Sequence, residues 1–332
     1  MTAYHKGCLV LSWILAGLLL WGCSSQKNQL KSLEKGIEEV LSKAGPSVVS
    51  ISVINKELNL DKVGSGVILD DQHVLTIENL LQNADEITIK LQNGEEIADS
   101  NILISGCDFE TDLSLLHIKN KVLKPAKLAD EIGNGCLGIV MGNTKYSKGL
   151  QVNLGTIGNS WIGGVDGYDD NLLVLTSTYT ALYPGTPVFN SDAELIGLVE
   201  GKIEGEEHVA LLVPATTISQ VSEILKKDGE IKRGWIGIIS DRMCKKEKAK
   251  VSDVILGSPA HLAGLQAGDV VLACDGKEIQ NGMELKKMIS KFQKGALISL
   301  KVQRNGEELI KKLTVEWAKN LPRKRRCPGR TI

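Results

Sequence analysis

The chain has 332 residues, 42% of them apolar and 24% charged, with a formal net charge of −1. That composition fills ordinary globular cores, excludes a disordered chain, and at this length calls for two or three folding units. Charge near zero, with basic residues scattered except for RKRRCPGR at residues 323–330, gives no expectation of a nucleic-acid partner.

The chain opens on MTAYHK, with one lysine, followed by the apolar run CLVLSWILAGLLLW, too short to span a bilayer comfortably. Residues 1–22 therefore read as a secretory signal. The run ends in LWGCSS, which resembles the bacterial lipobox, where a small residue precedes a cysteine that is diacylated and becomes the mature N-terminus. That resemblance implies a lipid anchor on Cys23, a membrane partner, and a periplasm-facing place in the bacterial cell envelope; Ser24 resembles the outer-membrane sorting signal. A plain secretory signal cut nearby is the alternative. Of seven cysteines, Cys8 leaves with the signal and Cys23 takes lipid, leaving Cys107, Cys136, Cys244, Cys274 and Cys327. These form no C-x-x-C pair and no Cys/His cluster at zinc spacing, so no metal and no cofactor is expected. Cys136 and Cys274 sit inside apolar runs, where free buried thiols are the expectation.

Residues 23–44 read as a tether and a short helix, with Leu30, Leu33, Ile37, Val40 and Leu41 at helical spacing and Gly45-Pro46 as the stop. From Val48 the pattern turns to short β-rich runs bounded by turns: VVSISVI, GSGVIL, HVLTI, EITIKL, NILIS and LSLLHI. Six strands of this kind fit a small antiparallel barrel. A polar connector, KNKVLKPAKLADEIGNG, precedes a second six: CLGIVMGN, LQVNLGTIGN, LLVLTST, PVFN, ELIGLVEGKI and VALLVPA. ATTISQVSEILKKDG then reads as an amphipathic helix with Ile218, Val221, Ile224 and Leu225 on one face and a glycine stop, closing a double barrel over residues 45–228.

Residues 229–318 read as a separate small α+β unit, with a helix in MELKKMISKF and a hairpin turning on Asn305-Gly306, a type I′ signal. Residues 319–332 are a basic tail. In the second barrel, GNSWIGGVDGYDDN (Gly158 to Asn171) reads as a flexible loop between strands, and Asp166, Asp169 and Asp170 are too few and unspaced for a calcium site.

The unit at 229–318 resembles a bacterial PDZ domain through GWIG and GSPAHLAGLQAGDVVLACDGKEI. The part before it resembles the protease domain of the HtrA/Deg family, trypsin-like serine proteases of the bacterial envelope followed by one or two PDZ domains. The resemblance rests on PSVVSI, GSGVILD, ADEITIKLQNGEEI, TDLSLLHI, IVMGN, GTIG and ELIGLV...VPA, in order. It implies a mainly β chain, a chymotrypsin/trypsin-like double β-barrel followed by one PDZ domain.

The departures fall at the catalytic positions. Such a protease needs a histidine base, an orienting carboxylate, a serine, and backbone N–H groups that hold the oxyanion. Where the family reads LTNNHVV this chain reads LTIENLL, placing Asn79 at the histidine position, and asparagine accepts no proton. The carboxylate falls on Asp112, which also has the simpler use of a turn or cap residue. Where the family reads NPGNSGGPL the chain has YPGTPVF, Tyr183 to Phe189, shorter by three residues in this alignment, with Thr186 as the remaining hydroxyl and Pro187 removing an N–H. His73, His117, His208 and His261 are out of position to replace the base. Losing nucleophile or base alone costs about 10⁶ in turnover, so the barrel reads as a pseudoprotease.

The PDZ resemblance implies a peptide-binding loop at Gly234, Trp235, Ile236 and Gly237, with Ile238 on the strand beside it and Leu285 on the facing helix; the partner is then a peptide or unfolded protein segment. A membrane-tethered adaptor, an active endopeptidase and a structural subunit of a homo- or hetero-oligomer stay open as function classes.

Overall fold

A computed structural model describes residues 29–56, 59–108, 110–143, 149–160, 172–177, 183–202, 206–240 and 248–318. The signal segment, Cys23, Cys244, the aspartates at 166, 169 and 170, and the basic tail lie outside the described residues. No described helix is long and apolar enough to cross a membrane.

Helix α1, residues 29–44, leads into the first sheet. Val40 and Ala44 of its last turns are buried in the barrel core, while Leu30 and Leu33 at its start are exposed. The first sheet holds β1 (Val48–Asn55), β2 (Leu60–Ile68), β3 (His73–Ile77), β4 (Glu86–Lys90), β5 (Glu96–Ile97), β6 (Ile102–Asp108) and β7 (Leu113–Ile118). Its order is β5-β4-β1-β2-β3-β7-β6, with antiparallel pairing throughout. The helical turn α2 (Glu78–Leu81) follows β3.

The second sheet holds β8 (Lys127–Leu128), β9 (Leu137–Gly142), β10 (Gln151–Ser160), β11 (Leu173–Ser177), β12 (Pro187–Phe189), β13 (Glu194–Lys202) and β14 (Val209–Pro214). Its order is β12-β9-β10-β11-β14-β13-β8, closed by the additional pairing of β12 with β13. Each sheet thus has seven strands rather than six. The additions β5 and β8 are two residues long and carry no periodicity; β8, inside the expected connector, is held parallel to β13 by the Ala129 N–H donating to Leu195 O at 2.9 Å.

The strands read as nearly continuous apolar runs because both faces are covered. Leu75, Ile77, Leu113, Leu115, Ile139 and Met141 face a core shared by the two barrels with Phe189 and Leu198. Their neighbours Val74, Leu116 and Ile118 face the interior of the first barrel, and Val140 that of the second. Helix α3 (Ala215–Asp228) seals the shared core with Ile218, Val221 and Leu225. Ile224, expected on that face, is 39% exposed. Gly229 ends the helix at φ 73°, donating to Leu225 O, as an αL cap requires.

The last unit contains β15 (Gly234–Trp235), β16 (Ile238–Ser240), β17 (Ala249–Val254), α4 (Pro259–Leu262), β18 (Val270–Cys274), β19 (Lys277–Glu278), α5 (Gly282–Ser290), β20 (Leu297–Arg304), β21 (Glu307–Thr314) and β22 (Glu316–Trp317). Its sheet runs β16-β17-β18-β20-β21, with β19 on β18 and β15 pairing separately with β22. The β20–β21 hairpin turns on Asn305 and Gly306 at φ 50° and 89°, both positive as a type I′ turn demands.

Charge ties this unit to the first barrel. Arg233 forks onto both oxygens of Asp108, whose carboxylate is buried at the end of β6 and also accepts from Thr111 Oγ1 at 2.7 Å. Glu110 bridges Arg233 and Lys286 of α5. Cys107 is disulfide-bonded, whereas Cys136 and Cys274 are free thiols, Cys274 buried and Cys136 half-buried.

Candidate functional site

The candidate catalytic positions are built by β3, the β6–β7 turn and the approach to β12. Asp112 sits at φ 55°, a left-handed conformation that aspartate tolerates, just before β7. There its carbonyl accepts the Glu78 N–H at 2.7 Å and its Oδ1 accepts the Asn79 N–H at 3.1 Å. Both are otherwise unsatisfied first-turn donors of α2, which has no side-chain cap of its own. The carboxylate therefore serves here as a remote cap for the turn that carries Asn79. Asn79 itself is exposed, and its carbonyl accepts from Lys62 Nζ at 3.3 Å.

Thr186 is buried at 4% exposure. Its side chain fills the space over Gly142 of β9: a Cβ there would fall 2.8 Å from the threonine methyl, 2.9 Å from its hydroxyl and 3.0 Å from Ser65 Oγ. Gly185, at φ 83°, packs so tightly on β2 that a Cβ would come within 2.3 Å of Ser65 O. The backbone donors of this turn are spent. Pro184 and Pro187 have none, Gly185 N–H donates to Val199 O at 2.7 Å, and Thr186 N–H donates to Tyr183 O at 3.2 Å. An oxyanion would find no free N–H among residues 184–187.

Three of the four described histidines have side-chain contacts away from these positions, and the fourth, His261, lies in α4. His73 bonds Asp70 at 2.8 Å and its ring lies 5.1 Å from that of His117. His208 bonds Ser177 O at 3.2 Å, and the backbone N–H of His261 donates to the Ser258 cap of α4. Among the described residues, no cluster of three or more His, Cys, Asp or Glu could hold a metal ion.

The second constellation is the Trp235–Ile238 loop. Ile236 O accepts from Ala260 N at 2.8 Å and Gly237 O accepts from Ile255 N at 2.9 Å, so both carbonyls point toward α4 and its flanking turn. A trans peptide holds the next N–H opposite the carbonyl. The Gly237 and Ile238 N–H groups consequently point away from α4, beside β16, a terminal strand of the sheet, where they can donate to an anion. Gly237, at φ 83°, is required: a Cβ would lie 2.1 Å from Ser258 Cβ. Gly234 is equally confined, since a Cβ would meet Ile289 O at 2.2 Å. Ile236 and Leu285 are buried in the core of the unit, Ile238 packs at its edge, and Trp235 is half-buried against β22. Helix α5 is capped at its start: Asn281 Oδ1 accepts the Glu284 N–H, and Glu284 Oε2 reaches back to accept the N–H of Gln280, the residue before the cap.

Comparison with known proteins agrees with both halves. A trypsin-like peptidase domain matches residues 64–198 and a PDZ domain matches residues 231–315. The serine endoprotease DegS of Haemophilus influenzae is 30% identical over 274 residues, covering 79% of this chain and 79% of that protein. The chain belongs to the HtrA/Deg family. A probable periplasmic serine endoprotease DegP-like protein of Pseudomonas putida is 28% identical over 274 residues, covering 76% of this chain and 55% of its own length. The chain thus spans little more than half of that relative. The crystal structure of the serine endoprotease from Yersinia pestis superposes with a TM-score of 0.69 at 26% identity, over 85% of this chain and 98% of that one. The HtrA-type protease AlgW with decapeptide, at 23% identity and a TM-score of 0.70, covers 84% of this chain and 98% of its own and shares the fold. Within the HtrA/Deg architecture, sequence reading missed the packing of Thr186 against Ser65 and Gly142 and the bridge through Glu110. Both join residues far apart in the chain and have no local signature.

Proposed function

We propose that this HtrA/Deg protein is a membrane-tethered, proteolytically inactive member that binds exposed or C-terminal peptide segments through its PDZ domain, in protein quality control of the bacterial envelope. The observation that carries the inactive reading is the Thr186 turn, with its hydroxyl buried and its two N–H groups consumed, together with Asn79 where the family resemblance puts the base. A threonine without a proton acceptor stays protonated and is a poor nucleophile at neutral pH. Peptide binding is supported by the paired N–H groups of Gly237 and Ile238 beside a sheet edge, onto which a peptide strand can add with its terminal carboxylate at the loop. Tethering is supported by the lipobox resemblance around Cys23, and a place in the envelope by the periplasmic naming of relatives.

The soluble chain from residue 24 onward tests the reading. It should bind peptides with apolar free C-termini and leave unfolded casein intact, with or without saturating peptide. Casein cleavage that peptide stimulates would replace this reading with that of an active endopeptidase.

A further inference from the structure

The PDZ unit carries a cleft of about 650 Å³ beside Trp235. Leu256, Pro259, Leu262, Lys312 and Leu313 line it with Trp235, so it runs between α4 and the outer edge of β21. β21 is the other terminal strand of the sheet, and no strand among the described residues pairs with that edge. Its backbone direction follows from Val315, whose N–H donates to Ala296 O and whose carbonyl accepts from Gly295 N, both at 2.8 Å. Val315 thus bonds toward the β20 side. By the alternation of an antiparallel ladder, Leu313 and Lys311 do the same, while Thr314, Lys312 and Ile310 direct their N–H and C=O groups outward.

The lining chemistry selects an occupant. Leu256 and Leu262 stand 82% and 79% exposed on the rim. Lys294 and Glu316 neutralise each other at 2.8 Å, which leaves Lys312 with no carboxylate partner among the described residues. The lining joins Trp235, Leu256, Leu262 and Leu313 to Ser258, Thr314 and the Lys294–Glu316 pair, and carries one uncompensated positive charge.

We propose that this edge is a second peptide site, taking an extended internal segment in which an acidic side chain neighbours a leucine-sized apolar one. The segment adds to β21 through main-chain hydrogen bonds, places its apolar side chain between Leu256, Leu262 and Trp235, and sets its carboxylate against Lys312. A second copy of β21 would bring Glu307 and Glu308, the latter paired with Lys301 at 2.8 Å, and is the competing occupant that the test separates. The site needs no chain terminus, and of the carboxylate loop it uses Trp235 alone.

The test uses the soluble chain from residue 24 onward and a fluorescent acetyl-Glu-Leu-Glu-Val-Glu-Leu-amide, whose amide cap denies the carboxylate loop its ligand. Anisotropy should show saturable binding, weakened about tenfold or more by Leu262→Glu and by Lys312→Glu, a change of roughly 1.4 kcal/mol or more. Lys312→Glu should gain affinity for the matching lysine peptide, and Leu262→Glu should still bind a free-carboxylate apolar peptide. Absence of saturable binding by the amidated peptide would overturn the proposal, as would binding unchanged by both substitutions. A concentration-dependent dimer abolished by Leu262→Glu and insensitive to the peptide would give the edge to a second copy instead.

Discussion

Replacing Asp112 separates a capping role from a catalytic one. Its Oδ1 holds the Asn79 N–H at 3.1 Å and its carbonyl the Glu78 N–H at 2.7 Å, at a backbone φ of 55°. A hydrogen bond to a charged group contributes about 1.5–3 kcal/mol, and a left-handed conformation costs an alanine roughly 1–2 kcal/mol more than a residue that tolerates it. Asp112→Ala should therefore destabilise the barrel by about 3 kcal/mol. Asp112→Asn keeps an acceptor oxygen and tolerates positive φ, so its cost should be about 1 kcal/mol or less. With a urea dependence near 3 kcal/mol per molar, the alanine variant should lose about 1 M in its unfolding midpoint and the asparagine variant about a third of that. Circular dichroism in urea reads the midpoints, and hydrogen exchange at the Asn79 amide reports the bond directly. Equal losses for both variants, or an unprotected Asn79 amide in the parent protein, would refute the capping argument.

Removing Arg233 strands the buried Asp108 carboxylate, so Arg233→Ala should cost about 3–5 kcal/mol in a thermal or urea melt, whereas the pair Asp108→Asn with Arg233→Met should recover most of that loss. Asp70 contributes a defined acid limb. Burial alone would raise its pKa, but the Gln72 N–H, the Lys226 ammonium and His73 lower it to about 2 from 3.8. A depressed carboxylate stabilises the fold above its unfolded value and loses that contribution as pH falls from about 4 to 2. For this partly exposed group the contribution is about 1–2 kcal/mol. Asp70→Asn should thus be less stable than the parent at pH 6, and most of that gap should be gone by pH 2. Gly237→Ala places a Cβ 2.1 Å from Ser258 Cβ at φ 83°. It should abolish binding of free-carboxylate peptides and lower the PDZ melting temperature, with both read by titration and calorimetry on the same sample.

Much of the fold was legible because its signals are local. Asn305-Gly306 announced a type I′ hairpin and Gly229 a helix stop, and each adopts the positive φ that its sequence position implied. Continuous apolar runs such as LSLLHI located the strands but hid which side chains face which core, since both faces are buried. The strands β5 and β8 escaped notice because two residues cannot express a period of two. At the catalytic positions the residue types were readable, while their use was not. Burial of Thr186 depends on Ser65 and Gly142, more than forty residues away in either case, and the spent N–H groups of its turn depend on Tyr183 and on β13. GWIG stood out in the sequence as a candidate loop, but the placement of Ile236 and Leu285 inside the core required the packed unit.

The central claim is that the barrel no longer activates a hydroxyl. Labelling of the purified chain by a fluorophosphonate, followed by intact-mass spectrometry with trypsin as the positive control, tests it most directly. The expected result is no adduct, with or without a peptide bound to the PDZ domain, and none after Asn79→His, because the Thr186 turn still offers neither an exposed hydroxyl nor a free N–H. A stoichiometric adduct on the unmodified chain that disappears in Thr186→Ala would contradict the account and make the protein a threonine-dependent hydrolase.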